Sequence, residues 1–109
     1  MSEIKGYHAH VYFDAADRDK AQALCTEAGK AFAVTVGRVH DKPVGPHPRG
    51  SCQLTVGKEQ FTDVVSWLVL NRKGLTVFTH AQTGNALKDH TDHVIWLGPS
   101  ETLELSQFR

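Results

Sequence analysis

The sequence has no excess of either charge, no long apolar run and few cysteines, and each absence excludes a class of protein. Its 12 Lys and Arg residues balance 12 Asp and Glu residues, so a surface that binds nucleic acid or anionic membranes is not predicted. No apolar run approaches the roughly 18 residues that cross a bilayer. The opening residues MSEIK lack the apolar core of a signal peptide. We therefore expect a cytoplasmic protein with no membrane partner.

Cysteine is scarce and histidine is abundant. Cys25 and Cys52 lie far apart and show no paired spacing, so we expect reduced, partly buried thiols rather than a disulfide or a zinc knuckle. A chain of 109 residues suits a single domain over residues 1–109 with one core. The unusual total is the seven histidines, which require a chemical explanation.

The stretch YHAHVYF at residues 7–13 is predicted to be a β-strand, whose successive side chains point to opposite faces. One face is apolar and consists of Tyr7, Ala9, Val11 and Phe13. The other face carries His8, His10 and Tyr12. Two imidazoles on one face are a possible start for a metal site, because imidazole is a common metal ligand. Alone, the same pattern also fits a solvated polar face.

The rest of the chain predicts two main helices and further strands. Apolar residues at helical spacing predict helices over 15–31 and 58–73. Alternating or branched residues predict strands over 34–39, 51–56 and 75–80, followed by a short helix at 87–90 and a short strand at 94–98. Residues after Pro99 show no clear pattern. The order β-α-β-β-α-β predicts an α+β fold of the ferredoxin-like split β-α-β type, with an antiparallel sheet and both main helices on one face.

For this topology we expect the spatial order fourth, first, third, second, with the first and third strands parallel and the other two running against them. The starts of the first and third strands and the ends of the second and fourth would then share one edge. Five of the seven histidines are predicted to meet there, with His90 and His93 close enough to cover the edge. The five are His8, His10, His40, His47 and His80.

Residues 40–50 form the second unusual stretch. Three prolines and two glycines exclude a helix or a central strand and stiffen the loop. His47 lies between two of these prolines. A rigid loop with histidine, aspartate and arginine is a good way to position a site, although an ordinary ordered surface connection would look similar.

A site dominated by histidine suits Fe(II), Zn(II), Ni(II) or Cu(II) better than magnesium or calcium. Two ligand sets stay open. One has two histidines and a carboxylate from Asp41, Asp89 or Asp92; the other has three histidines and leaves the remaining positions to solvent. Closed structural zinc sites usually include thiolates, and neither cysteine is expected near this edge.

Several stretches together match one known family. They are YHAHVYF at 7–13, GRVHDKPVGPHP at 37–48, LNRKGL at 70–75, residues 79–84, the pair at 89–90 and WLG at 96–98. On these stretches the chain resembles the small DOPA 4,5-dioxygenase family of ferredoxin-like extradiol enzymes. One departure is Ala81, where the family usually has proline; the change softens the turn after His80.

The resemblance implies an Fe(II)-dependent enzyme that opens a DOPA-like catechol beside its two hydroxyls with O2, that is, an extradiol catechol dioxygenase. The implied metal ligands are His10, His47 and His80, with zinc or nickel able to replace iron in a crystal. His8 is expected as an acid or base or as a fourth ligand, and His40 as a more distant catalytic candidate.

Substrate contacts are also implied. Arg38 or Arg49 is expected to pair with a substrate carboxylate, as arginine does in bidentate fashion, unless each is only a solvated charge. Tyr12 and Phe78 are expected to form the wall on which the ring lies. Alternatively a second subunit covers them, because an open face with aromatic residues invites a homodimer.

Two other interpretations stay open. The same histidines could hold a metal in a non-catalytic, dimeric α+β protein. The chain could also be a cofactor-free dimer whose open face binds a small molecule and whose histidines are incidental.

Overall fold

A computed structural model describes residues 3–109 as a five-stranded sheet with two helices against one face. The strands are β1 (Gly6–Phe13), β2 (Thr35–His40), β3 (Gly50–Val56), β4 (Thr76–Gln82) and β5 (Val94–Leu97). The helices are α1 (Arg18–Phe32), α2 (Phe61–Asn71) and the short α3 (Ala86–Asp89). Single 3-10 turns precede α1 and α2, and another covers Ser106–Phe108. The predicted element order and the α+β class are confirmed.

The sheet order is β2-β3-β1-β4-β5, which contains the predicted order of the first four strands. The predicted directions are wrong, because β1 runs antiparallel to β3 as well as to β4. The reason is the connection: a helical crossover returns the chain to start β2 in the direction of β1, whereas the loop from β2 into β3 reverses it. The start of β3 therefore lies beside the end of β1, where Phe13 faces Gly50.

This reversal changes how the histidines meet. The end of β4 lies at the start of β1, with Tyr7 opposite Ala81, whereas the loop that carries His47 begins at the other end of the sheet. The predicted shared edge does not exist. His47 reaches the strand histidines because residues 41–49 fold back over the sheet, and its ring centroid lies 4.1 Å from that of His10.

The helix-covered face holds the core, as the alternation in β1 predicts. Its strand side chains interdigitate with small and branched residues of α1 and α2, which lets the helices lie close to the sheet. The fully buried members include Ala9, Val11, Cys52, Leu54, Val77, Ala21, Cys25, Ala28, Val64 and Leu68. Over residues 3–109, no helix combines the length and the apolar character that crossing a bilayer requires.

The second face was expected to be open, yet the chain itself covers much of it. Tyr12 and Phe78 are both 0% exposed, and Trp96 of β5 packs on Phe78 with ring centroids 4.6 Å apart. These two aromatics therefore give no reason to expect a second subunit on this face. The homodimer stays a prediction that has lost this support.

Candidate metal centre

Three histidines meet on the loop-covered face because of the pairing between β1 and β4. His8 lies directly opposite His80 in this ladder, and His10 lies diagonally from it, opposite Phe78. Opposite and diagonal residues on one face are near enough for long side chains to touch. One ring nitrogen from each of His8, His10 and His80 lies within 4.8 Å of the others. The Nε2 atoms of His10 and His80 are 3.2 Å apart.

The cluster consists of neutral imidazoles, two of which, His10 and His80, share a hydrogen bond between their Nε2 atoms. Burial, reinforced by the neighbouring imidazoles, holds the pKa of His10 well below its ordinary value. Burial likewise lowers the pKa of His80 to about 4. The Nδ1 of His80 donates to the carbonyl of Ala81 at 3.0 Å, so its Nε2 is left as the acceptor atom. Such a hydrogen bond fixes the tautomer of metal-binding histidines, and the set suits a borderline divalent transition metal.

The carboxylate alternative finds no support among residues 3–109, since no aspartate or glutamate joins the cluster. Asp41 is paired with Arg18 at the surface. The two oxygens of Asp89 accept hydrogen bonds from Thr83 and His93 at 2.6 to 2.8 Å. The three-histidine set is the one that the structure assembles.

His47, predicted as a ligand, lies beside the cluster and bonds elsewhere. Its Nδ1 is 2.7 Å from the hydroxyl of Tyr12. Tyr12 is fully buried and is not among the residues that border the two cavities beside the cluster. Burial, with the surrounding imidazoles, lowers the pKa of His47 to about 4, and burial together with Glu101 raises the pKa of Tyr12. Both groups are therefore neutral near pH 7. Tyr12 is thus the hydrogen-bond partner of His47 and borders neither cavity.

Two cavities flank the line from His10 to His47. The larger one, about 380 Å³, is bordered by all three cluster histidines and by His90. The smaller one, about 150 Å³, is bordered by His40 and Arg38. His10, His47 and Gln53 border both cavities, so the two spaces are neighbours across these side chains.

A bulge in β2 places Arg38 at the smaller cavity. Val36 pairs with Leu54 and Val39 with Cys52, so Gly37 and Arg38 together oppose the single residue Gln53. An extra residue of this kind re-aims the side chains around it. Arg38 makes no side-chain hydrogen bond to any residue in the 3–109 range, and its guanidinium is exposed at the rim.

Arg49, the other predicted carboxylate partner, is already engaged. Its guanidinium donates two hydrogen bonds to Glu101, at 2.7 and 3.1 Å, and a third to Asp14 at 3.2 Å. Its central carbon lies 5.9 Å from the centre of the Tyr12 ring. Arg49 therefore links the proline-rich loop to the last segment of the sequence through its hydrogen bonds to Glu101.

Sequence reasoning missed residues that the tertiary structure brings to the larger cavity. His90 was expected only near the edge, yet its ring centroid lies 4.2 Å from that of His80, and its Nδ1 donates to the carbonyl of Ala86 at 2.7 Å. Gln107 and Phe108 lie in the segment that showed no pattern, and both border this cavity. The available signal was a lone aromatic residue seven positions after an acid that could pair with the loop arginine.

Taken together, the fold and the site define a ferredoxin-like α+β protein with a cluster of two buried histidines and one half-buried histidine at a cavity. The model of the Dopa 4,5-dioxygenase family matches residues 7–107. The chain belongs to that family.

Named relatives agree with this assignment. A DOPA 4,5-dioxygenase of Amanita muscaria is 39% identical over 114 residues, covering 96% of this chain and 50% of the relative. A 21.2 kDa protein of Botryotinia fuckeliana, described as uncharacterized, is 30% identical to this chain. The alignment covers 96% of this chain and 64% of that protein. The chain thus spans about half to two thirds of the length of these curated relatives.

A solved structure from Nostoc punctiforme, described as "a putative dioxygenase", superimposes with a TM-score of 0.89 at 49% identity. The match covers 92% of this chain and 87% of that one.

Proposed function

We propose that this protein is an extradiol dioxygenase, an oxidoreductase that opens the ring of a DOPA-like catechol with O2 at a non-haem Fe(II). The observation that carries the proposal is the cluster of three neutral imidazoles at the wall of a cavity of about 380 Å³. Membership of the Dopa 4,5-dioxygenase family supports the choice of reaction.

We assign the metal to His8, His10 and His80, which keeps two of the predicted ligands and replaces His47 by His8. The donor set fits, because all three nitrogens are close together and neutral and no carboxylate or thiolate competes for the site. A bound Fe(II) supplies the redox chemistry that lets a catechol react with O2, and a Lewis acid for the catechol oxygens.

The protein must also move protons, and His47 with Tyr12 supplies a path. A proton leaving a catechol hydroxyl passes to the Nε2 of His47, whose Nδ1–H then donates to the Tyr12 hydroxyl and holds the resulting imidazolium in place. His40 borders the smaller cavity together with His47, and we assign to it the exchange of that proton with solvent.

Arg38 is the side chain that we assign to a substrate carboxylate. It is the cationic residue among those that border the two cavities, whereas Arg49 already pairs with Glu101. A catechol with its ring in the larger cavity would direct an acidic side chain past Gln53 toward Arg38.

The test is anaerobic reconstitution with Fe(II), followed by addition of L-DOPA or caffeate in air with visible absorbance and oxygen uptake recorded together. We expect a yellow ring-opened product with one O2 consumed per catechol. His10→Ala and His80→Ala should abolish both signals.

The matched control is His93→Gln, because glutamine keeps a donor for Asp89 and His93 lies outside the cluster. Tight metal binding without oxygen uptake across a panel of catechols would overturn the dioxygenase proposal and favour a non-catalytic metal-binding protein.

A further inference from the structure

The larger cavity is bordered mainly by histidine and glutamine side chains, together with Asp89 and the small residues Pro46, Gly84 and Ala86. Phe108 is the large hydrocarbon side chain among the described residues that border it. An aromatic ring leaving water gains most from contact with another apolar ring surface.

Phe108 ends a row of neighbouring rings that begins at the histidine cluster. The planes of His10 and His80 are 15° apart with centroids at 5.3 Å. The centroids of His80 and His90 are 4.2 Å apart with planes tilted by 39°, and those of His90 and Phe108 are 4.4 Å apart with planes at 21°. The ring of Phe108 therefore stacks on His90, and it offers a flat surface with which a ligand ring can align.

The segment that carries Phe108 is anchored at two points on the proline-rich loop. Glu101 forms the bidentate pair with Arg49, and the backbone N–H of Glu104 donates to the carbonyl of Pro46 at 2.9 Å. Both anchors are on the loop that delivers His47. Gly45 of this loop has a φ of 54°, and an added Cβ there would lie 3.8 Å from the Gln107 amide.

We propose that Phe108 is a positioning and specificity residue: its ring forms the apolar wall against which the aromatic ring of the substrate lies. The inference rests on the proposed function for the identity of the ligand, a catechol. It assigns the recognition of the ring to the last segment of the sequence and not to Tyr12 or Phe78, which are fully buried. Glu101 supports this wall from a distance through Arg49.

The test measures binding apart from turnover. Protein loaded with redox-inert zinc is titrated with 4-nitrocatechol by difference absorbance, and the Fe(II) form is assayed separately for KM and kcat. We expect Phe108→Leu to weaken 4-nitrocatechol binding about 10-fold and to raise KM similarly, with a smaller change in kcat. Phe108→Tyr should restore most of the binding, because it keeps the ring. Glu101→Gln should shift binding in the same direction by about 3-fold.

The matched control is Phe32→Leu, the same chemical change on the helix-covered side, where Phe32 packs on Trp67. Metal content and the thermal midpoint are measured for each variant, so that a folding defect is recognised. If Phe108→Leu binds 4-nitrocatechol as tightly as the parent protein and Phe32→Leu do, the inference is overturned, while the dioxygenase proposal stays intact. Binding that weakens as expected in a protein without oxygen uptake would overturn the proposed function alone. Absence of catechol binding by the parent protein would overturn both.

Discussion

The two faces of the sheet are built from the same strands and differ in what covers them. On one face, α1 and α2 bury aliphatic and thiol side chains in a continuous core. On the other, a proline-rich loop and the last segment cover histidines, Tyr12 and Phe78. Residues 9 and 11 belong to the first face and residues 8 and 10 to the second, although they alternate along one strand. A strand can thus divide stability and chemistry between adjacent residues.

The two faces differ in how many buried polar groups require hydrogen-bond partners. The helix-covered face needs few hydrogen bonds, because its side chains are apolar, and it is stabilised by burial of surface. The loop-covered face holds the buried imidazoles of His80 and His47, which remain neutral and hydrogen-bonded through the Ala81 carbonyl and the Tyr12 hydroxyl. The four tests below ask whether changes on one face leave the stability or the metal site of the other face unaffected.

The largest expected effect distinguishes a proposed metal ligand, His8, from a neighbouring histidine, His47, on the loop-covered face. His8→Ala should lose stoichiometric metal and lower oxygen uptake by at least about 100-fold, because a ligand is removed. His47→Ala should keep the metal while kcat falls, because we assign it to proton transfer. Metal analysis after dialysis decides between them. The reverse result would restore the originally predicted triad of His10, His47 and His80.

On the helix-covered face, Leu68→Ala should lower the free energy of unfolding by about 2–5 kcal/mol, because Leu68 is fully buried and leaves a cavity. Metal stoichiometry and KM of the folded protein should not change. Urea denaturation monitored by circular dichroism measures the loss. Leu70→Ala, at an 84% exposed position of the same helix, is the control and should change stability by no more than about 0.5 kcal/mol.

Acidification should weaken the metal-free protein through its loop-covered face. The pKa values of His47 and His80 are about 4 when folded and about 6.5 in an unfolded chain. The unfolded state then binds more protons between these values, so the stability is fully present above pH 6.5 and is lost as pH falls toward 4. We expect a total loss of a few kcal/mol between pH 7 and pH 4.5, measured by urea denaturation.

The acid effect should be smaller in His47→Gln, which removes one of the titrating groups. An identical pH dependence in this variant and its parent would contradict the assignment of the lowered pKa to His47.

The smallest effect compares two tyrosines of β1 on opposite faces. Tyr12→Phe removes the partner of the His47 ring and should reduce stability by about 1 kcal/mol and kcat by about 10-fold. Tyr7→Phe should be nearly neutral, because the Tyr7 hydroxyl makes no hydrogen bond within residues 3–109 and the ring keeps its packing on Phe61. Equal effects of both changes on kcat would argue against the Tyr12–His47 pair.

Much of the helix-covered face could be predicted from the sequence. Alternation in residues 7–13 and the helical spacing in 61–68 are properties of consecutive residues, and burial of the apolar set follows from them. The parity of His8, His10 and His80 was predictable for the same reason, and so were the order of the elements and the stiff loop. These features depend on local geometry, which short stretches of sequence encode.

Tertiary structure alone decided the rest. Which histidines meet depends on the register between β1 and β4 and on the direction of β3, where the sequence-based expectation was wrong. The engagement of Arg49 by Glu101 joins residues 52 positions apart, and Phe108 borders a cavity whose histidines lie far from it in the sequence. Such long-range pairs arise from packing of the whole chain, which no periodic pattern records. The sequence by itself determined the strands, the helices and the presence of imidazole side chains that could bind a metal. The tertiary fold determined which of these side chains lie together.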